Sequence, residues 1–178
     1  MNALLNTNIF VRSMATRDSG NEIAAVTKDA VALLKSQDFS LIIVETSGIG
    51  QGSSAILEIC DLSLYVMTPE YGASSQLEKI DMLDFADFIA INKFERSGAL
   101  DALKDVETIY RRNRLQKRIL SVCDFPIFGT VASSFNDAGV NGLYKALYER
   151  LTLLDFKAEG TLNPHRSYLR YGENPQIL

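Results

Sequence analysis

Four short apolar runs rich in β-branched residues recur along the chain, at Leu41-Ile42-Ile43-Val44, Leu62-Ser63-Leu64-Tyr65-Val66-Met67, Phe88-Ile89-Ala90-Ile91 and Pro126-Ile127-Phe128-Gly129-Thr130-Val131. Runs this short without polar alternation fit strands buried on both faces. Segments with helical spacing surround them: Ile23 to Leu34, Ala55 to Ile59, Leu77 to Leu83, Ala99 to Leu120 and Leu143 to Leu154. Parallel strands need long crossovers, and helices supply them, so the alternation predicts an α/β fold with a mostly parallel sheet flanked by helices. In such folds the binding loops lie at the carboxyl ends of the strands.

The chain of 178 residues is 47% hydrophobic, enough for one substantial core. Its net charge of -4 offers no concentrated basic surface, so nucleic acid is not expected as a partner. No apolar run reaches the roughly 20 residues that span a bilayer, and no basic-then-apolar leader opens the sequence. Membrane association is therefore not expected, and the reading is cytoplasmic. Cys60 and Cys123, the two cysteines, form no metal-like or redox pair and read as small core residues of a protein in a reducing compartment. The single histidine, His165, rules out a chain-internal histidine cluster and reads as a surface residue of a tail.

The four strand ends are where chemistry is sought, the second reading Thr68-Pro69-Glu70-Tyr71-Gly72. The first reads Glu45-Thr46-Ser47-Gly48-Ile49-Gly50-Gln51. An acid followed three residues later by glycine lets a carboxylate orient a magnesium-bound water while the glycine amide approaches a terminal phosphate. The bland alternative is a Gly-rich turn of the kind common in α/β folds. The third end reads Asn92-Lys93-Phe94-Glu95, close to the Asn-Lys-x-Asp with which G proteins read guanine. A carboxylate there accepts the ring N-H and exocyclic amino hydrogens, Asn holds the purine edge, and the Lys stem lies along the ring. Its alternative is a solvated helix start with Glu95 favourable near the dipole. The fourth end carries Ala132-Ser133, where a backbone amide would face the guanine oxygen.

A phosphate-binding loop, Gly-x-x-x-x-Gly-Lys-Ser/Thr, is not found in the sequence; the Lys35-Ser36 pair follows Leu34 and has Asp29 where the first glycine would stand. Ser47, Ser53 and Ser54 have no histidine base at a comparable strand end, which argues against serine hydrolase chemistry. Arg111, Arg112, Arg114, Lys117 and Arg118 gather near a helix end whose start carries Asp101 and Asp105, as the helix dipole favours; a solvated face and a contact with a partner or a ligand phosphate are both open. Tyr144, Leu147, Tyr148 and Leu151 recur at helical spacing and read as a core-facing stripe, with a partner surface as the alternative.

Several strings resemble the G domain of fused isobutyryl-CoA mutases and, more distantly, the stand-alone G-protein chaperones of methylmalonyl-CoA mutase. They are Val11 to Arg17, Ile43 to Gln51, Asn92 to Ala99 and Ala132 to Asp137. The resemblance runs from Met1 to about Leu154. It implies a P-loop NTPase-like G domain, binding GTP or GDP with magnesium, that serves a cobalamin-dependent acyl-CoA mutase carrying adenosylcobalamin. By the same resemblance Glu45 and Gln51 are the catalytic positions, Glu45 holding magnesium through water. Gly48, Asn92, Lys93, Glu95, Ala132 and Ser133 contact the nucleotide, and Gln76 and Lys79 lie in an added switch, Tyr71 to Lys79, facing the mutase.

The family places its first strand, phosphate loop, first switch and a magnesium-ligating acid upstream of where this sequence begins. The expectation is therefore a partial G domain over 1–156 without turnover of its own, and a tail or linker over 157–178, where Pro164 to Leu169 resembles the connection to a substrate barrel. The family's base motif ends in Asp, and Glu95 adds one methylene. The rival expectation is a non-catalytic module that docks onto the mutase; an adenine-preferring relative is a third.

Overall fold

The computed structural model describes residues 8–14, 23, 26–37, 39–46, 55–71, 82–116 and 126–156. They fall into two compact units, Met1–Ile49 and Gly50–Leu178.

In the first unit the regular element is helix α1, Thr27–Lys35, with Asp29 in its first turn and Lys35 in its last, matching the dipole at both ends. It ends at Ser36, whose Oγ donates to the Leu33 carbonyl at 2.7 Å, satisfying one of the terminal oxygens. The rings of Phe10 and Phe39 approach to 6.4 Å. The expected first strand is not observed: Leu41 to Thr46 form no ladder, although exposed and half-buried residues alternate along them. Ile43 is 83% exposed. A strand exists only through a hydrogen-bonded neighbour, and among the described residues this segment has none.

The second unit is built on a three-stranded parallel sheet of β1 (Leu64–Met67), β2 (Phe88–Asn92) and β3 (Ile127–Thr130), in that order. This is the α/β architecture expected of a P-loop NTPase-like domain, with flanking helices. The short helix α2, Met82–Phe85, lies in the β1–β2 connection, and the long helix α3, Ala99–Gln116, makes the crossover from β2 to β3. Helix α4, Ala138–Thr152, follows β3 and packs on it. The expected helices at 77–83 and 99–120 run partly outside the described residues, and the 3-10 turn Ala55–Glu58 stands where a further helix was expected.

Strand β2 is central, with Ile89 and Ile91 fully buried and Ala90 2% exposed, as its apolar run requires. Helix α3 buries Ala99, Ala102, Leu103, Val106, Ile109 and Tyr110, one stripe at three- and four-residue spacing, with Asp101 and Lys104 on the other side. Leu83, Ile89, Ile91 and Val106 form the tightest part of the core, each worth roughly 1.5–3 kcal/mol by burial. Register is pinned at the amino ends, where Leu64 pairs with Phe88. There Asp87 Oδ2 accepts from the Ser63 amide at 2.9 Å and hydroxyl at 2.8 Å, while the Asp87 amide donates back to Ser63 Oγ at 3.0 Å.

Two further expectations need revision. The α4 stripe is only partly a core face, since Leu147, Tyr148 and Leu151 are half-buried and Tyr144 is 49% exposed. Cys60 is half-buried rather than a core residue; burial, then the charges of Asp87 and Asp61, push its thiol above the ordinary value. Cys123, His165, Lys117 and Arg118 lie outside the described residues, as does the proposed tail 157–178.

Candidate functional site

The carboxyl ends of β2 and β3 lie side by side, because parallel pairing sets Asn92 opposite Thr130. Leaving β2, the chain cannot stay extended: Lys93 takes a left-handed backbone, φ 56°, and turns the following residues back over β3. The Phe94 amide then donates to the Thr130 carbonyl at 3.1 Å. Phe94 also lays its ring on Gly129, where an added Cβ would sit 2.7 Å from ring carbons, so only glycine admits this approach.

Asn92 joins the two strand ends. Its Oδ1 accepts from the Ala132 amide at 3.1 Å and from Thr130 Oγ1 at 3.3 Å. Both lone pairs of that oxygen are thereby engaged, and the orientation of the amide is set, with its NH2 as the donor face. Ala132, Ser133 and Ser134 follow in an exposed turn closed by the Ser134 amide on the Val131 carbonyl at 2.9 Å.

That turn leads directly into α4, whose N-cap Asp137 fastens it. Asp137 Oδ2 accepts from the Val140 amide at 2.8 Å, capping the helix, and from the Val131 amide at 3.2 Å, holding the turn's first residue. The helix start presses hard on β3: a Cβ on Gly139 would lie 1.7 Å from the Gly129 carbonyl oxygen.

On the other flank, β1 is followed by Thr68 and the 3-10 turn Pro69–Tyr71. Thr68 Oγ1 donates to Glu70 Oε2 at 2.6 Å, and Arg96 pairs with Glu70 Oε1. The Thr68 hydrogen bond, then that from Arg96, holds the Glu70 carboxyl below the usual carboxylate value.

Of the sequence-predicted residues, Asn92, Lys93, Glu95, Ala132 and Ser133 thus lie on two adjacent loops, with a direct bond between Asn92 and Ala132. Glu95 is exposed in its loop, one residue before Arg96. Glu45 belongs to the first unit and is exposed. Gly48, Gln51, Gln76 and Lys79 fall outside the described residues. Thr130, Asp137, Glu70 and Arg96 were not singled out from sequence. Only Asp137 carried a readable signal, an acid directly before an apolar-periodic segment.

Among the described residues no three His, Cys, Asp or Glu side chains gather in a metal cluster. Magnesium beside phosphates needs only one or two protein carboxylates because it keeps several waters, and the exposed Glu45 carboxylate has the chemistry to accept a hydrogen bond from such a water.

Residues 1–167 match the family described as methylmalonyl-CoA mutase-associated GTPase MeaB. The chain belongs to that family. It is also similar to fused isobutyryl-CoA mutases. That of Cupriavidus metallidurans is 53% identical over 175 residues, covering 98% of this chain and 16% of the relative. That of Paraburkholderia xenovorans is 57% identical over 143 residues, 80% of this chain and 11% of the relative. That of Geobacillus kaustophilus is 49% identical over 151 residues, 85% and 14%. The chain therefore spans about one sixth or less of the length of these fused relatives. Among the described residues no helix is long and apolar enough to cross a membrane.

Proposed function

We propose that this MeaB-family chain belongs to a GTP-binding, GTP-hydrolysing chaperone domain of a cobalamin-dependent acyl-CoA mutase of the isobutyryl-CoA or methylmalonyl-CoA type. The observation that carries the reading is the bond from the Ala132 amide to Asn92 Oδ1. It draws the two loops together and leaves the Asn92 NH2 as a donor for a purine nitrogen. Glu95 accepts from the guanine ring N-H and amino group, the Lys93 stem lies along the ring, and the Ala132-Ser133 amides face the guanine oxygen. Magnesium supplies charge neutralisation at the β- and γ-phosphates when bound. By the family resemblance, Glu45 would orient one of its waters, Gly48 would give an amide to the terminal phosphate, Gln51 would serve the attacking water, and Gln76 and Lys79 would belong to the switch that answers to the mutase. Adenosylcobalamin belongs to that mutase, and the setting is cytoplasmic.

Turnover is not expected from these 178 residues, because the sequence holds no Gly-x-x-x-x-Gly-Lys-Ser/Thr to cradle the developing charge. Calorimetry tests the reading: GDP should bind to the chain and ADP should bind more weakly, whereas equal affinities or no GDP binding would refute it. A second reading, a docking module without nucleotide function, is favoured by the fusion of the matching segment to a mutase in the relatives. It predicts mutase binding that GDP does not alter.

A further inference from the structure

The loop Lys93 to Gly98 is fastened on both flanks of Glu95, and the two fastenings come from different strands. On the β3 side, Phe94 is fixed by its amide bond to Thr130 and by its ring against Gly129. On the β1 side, Arg96 is paired with Glu70. The backbone around Arg96 is itself closed, its amide donating to the Lys93 carbonyl at 3.0 Å and its carbonyl accepting from the Ala99 amide at 3.3 Å. A pull on the guanidinium is therefore transmitted to the Lys93–Arg96 turn rather than absorbed by a loose chain.

The anchor at the other end is equally constrained. Glu70 follows a buried Pro69 in a turn that packs against α3, and its second oxygen is held by Thr68. Each carboxylate oxygen thus has its own donor, one from β1's end and one from the neighbouring loop. An exposed ion pair between two free side chains would be worth little. Here the Thr68 hydroxyl already holds the Glu70 carboxylate and the turn fixes the Arg96 backbone, so part of the ordering precedes the pair and the cost that remains is the rotamer freedom of the Arg96 side chain.

We propose that Glu70 is a positioning residue for the purine site: through Arg96 it sets the place of Glu95, and through the same pair occupancy of the site is felt at the Pro69–Tyr71 turn. The inference rests on the base-reading function proposed above. Phe94 alone would leave the loop free to pivot about β3, and the β1 anchor removes that freedom. Since a carboxylate reading two guanine hydrogens needs both bonds aligned, a small pivot costs discrimination before it costs affinity.

The test compares the 178-residue chain with Glu70→Gln, Arg96→Gln and the exchanged pair Glu70→Arg with Arg96→Glu. GDP and ADP affinities are measured by calorimetry, amide exchange by NMR, and folding by urea. Glu70→Gln and Arg96→Gln should weaken GDP by about two- to fivefold while leaving ADP nearly unchanged. Exchange at the Phe94, Arg96 and Ala99 amides should quicken without nucleotide, and the exchanged pair should recover both effects in part. In the parent chain GDP should slow exchange at the Glu70 and Tyr71 amides, and Glu70→Gln should abolish that slowing. Equal losses for GDP and ADP, or no change in GDP affinity in a folded Glu70→Gln chain, would overturn the inference and leave the base-reading function standing. A folded parent chain that binds no GDP would overturn the base-reading function, and the positioning role with it, whatever the exchange rates.

Discussion

Replacing Asn92 by Asp separates the two duties of that side chain. In Asn92→Asp the Oδ1 that accepts from Ala132 and Thr130 is kept, and only the NH2 group becomes an oxygen. Folding should change little, by less than about 1 kcal/mol, since both accepted bonds persist and become charge-assisted. Asn92→Ala removes the acceptor and strands the Ala132 amide and Thr130 hydroxyl, which should cost about 1–3 kcal/mol. For a purine the order reverses in emphasis. Asp offers an acceptor to a ring nitrogen that is itself an acceptor, so a bond of about 0.5–1.5 kcal/mol is lost and an unsatisfied pair of about 1–3 kcal/mol is created. The sum, about 1.5–4.5 kcal/mol, is a factor of roughly 10 to 2,000 in Kd. Urea unfolding and GDP calorimetry on the parent and both variants give the two quantities separately. An Asn92→Asp chain that binds GDP as the parent does, or that unfolds as readily as Asn92→Ala, would refute the argument.

Three other perturbations follow from the same geometry. Gly139→Ala forces a Cβ toward the Gly129 carbonyl, backbone against backbone, and should cost about 3 kcal/mol or more in urea unfolding, by driving α4 off β3. Asp137→Ala loses the helix cap and the hold on Val131, about 1–2 kcal/mol, and should quicken exchange at the Val131 and Val140 amides. Because the folded Glu70 carboxyl lies below its ordinary value, its stabilising effect is complete above that value and fades as pH falls through the lowered one; a carboxyl titration by carbon NMR should show this, with Arg96→Gln moving it back up.

The sheet was readable in the sequence where burial on both faces leaves a continuous apolar run, as in Phe88 to Ile91. Leu41 to Val44 has the same composition but no ladder, because composition reports burial tendency and not the neighbour that accepts the hydrogen bonds. The tyrosines of α4 show the converse: Tyr144 keeps helical spacing yet remains half exposed, since periodicity marks a face without saying what covers it. The placement of Asn92, Lys93, Glu95, Ala132 and Ser133 at two strand ends was legible because a strand followed by a short polar motif has local meaning. Thr130, Glu70 and Arg96 were not, because their bonds join positions 38 and 26 residues apart that only the parallel register brings together.

The central claim, a guanine-reading site on the adjoining ends of β2 and β3, is tested most directly by titrating the isotope-labelled chain with guanosine and following its amide resonances. The account predicts shifts concentrated at the Asn92 side-chain NH2, Lys93, Glu95 and the Ala132 to Ser134 amides, with adenosine producing weaker ones. Guanosine shifts that fall elsewhere on the chain, or that adenosine reproduces in full, would contradict it.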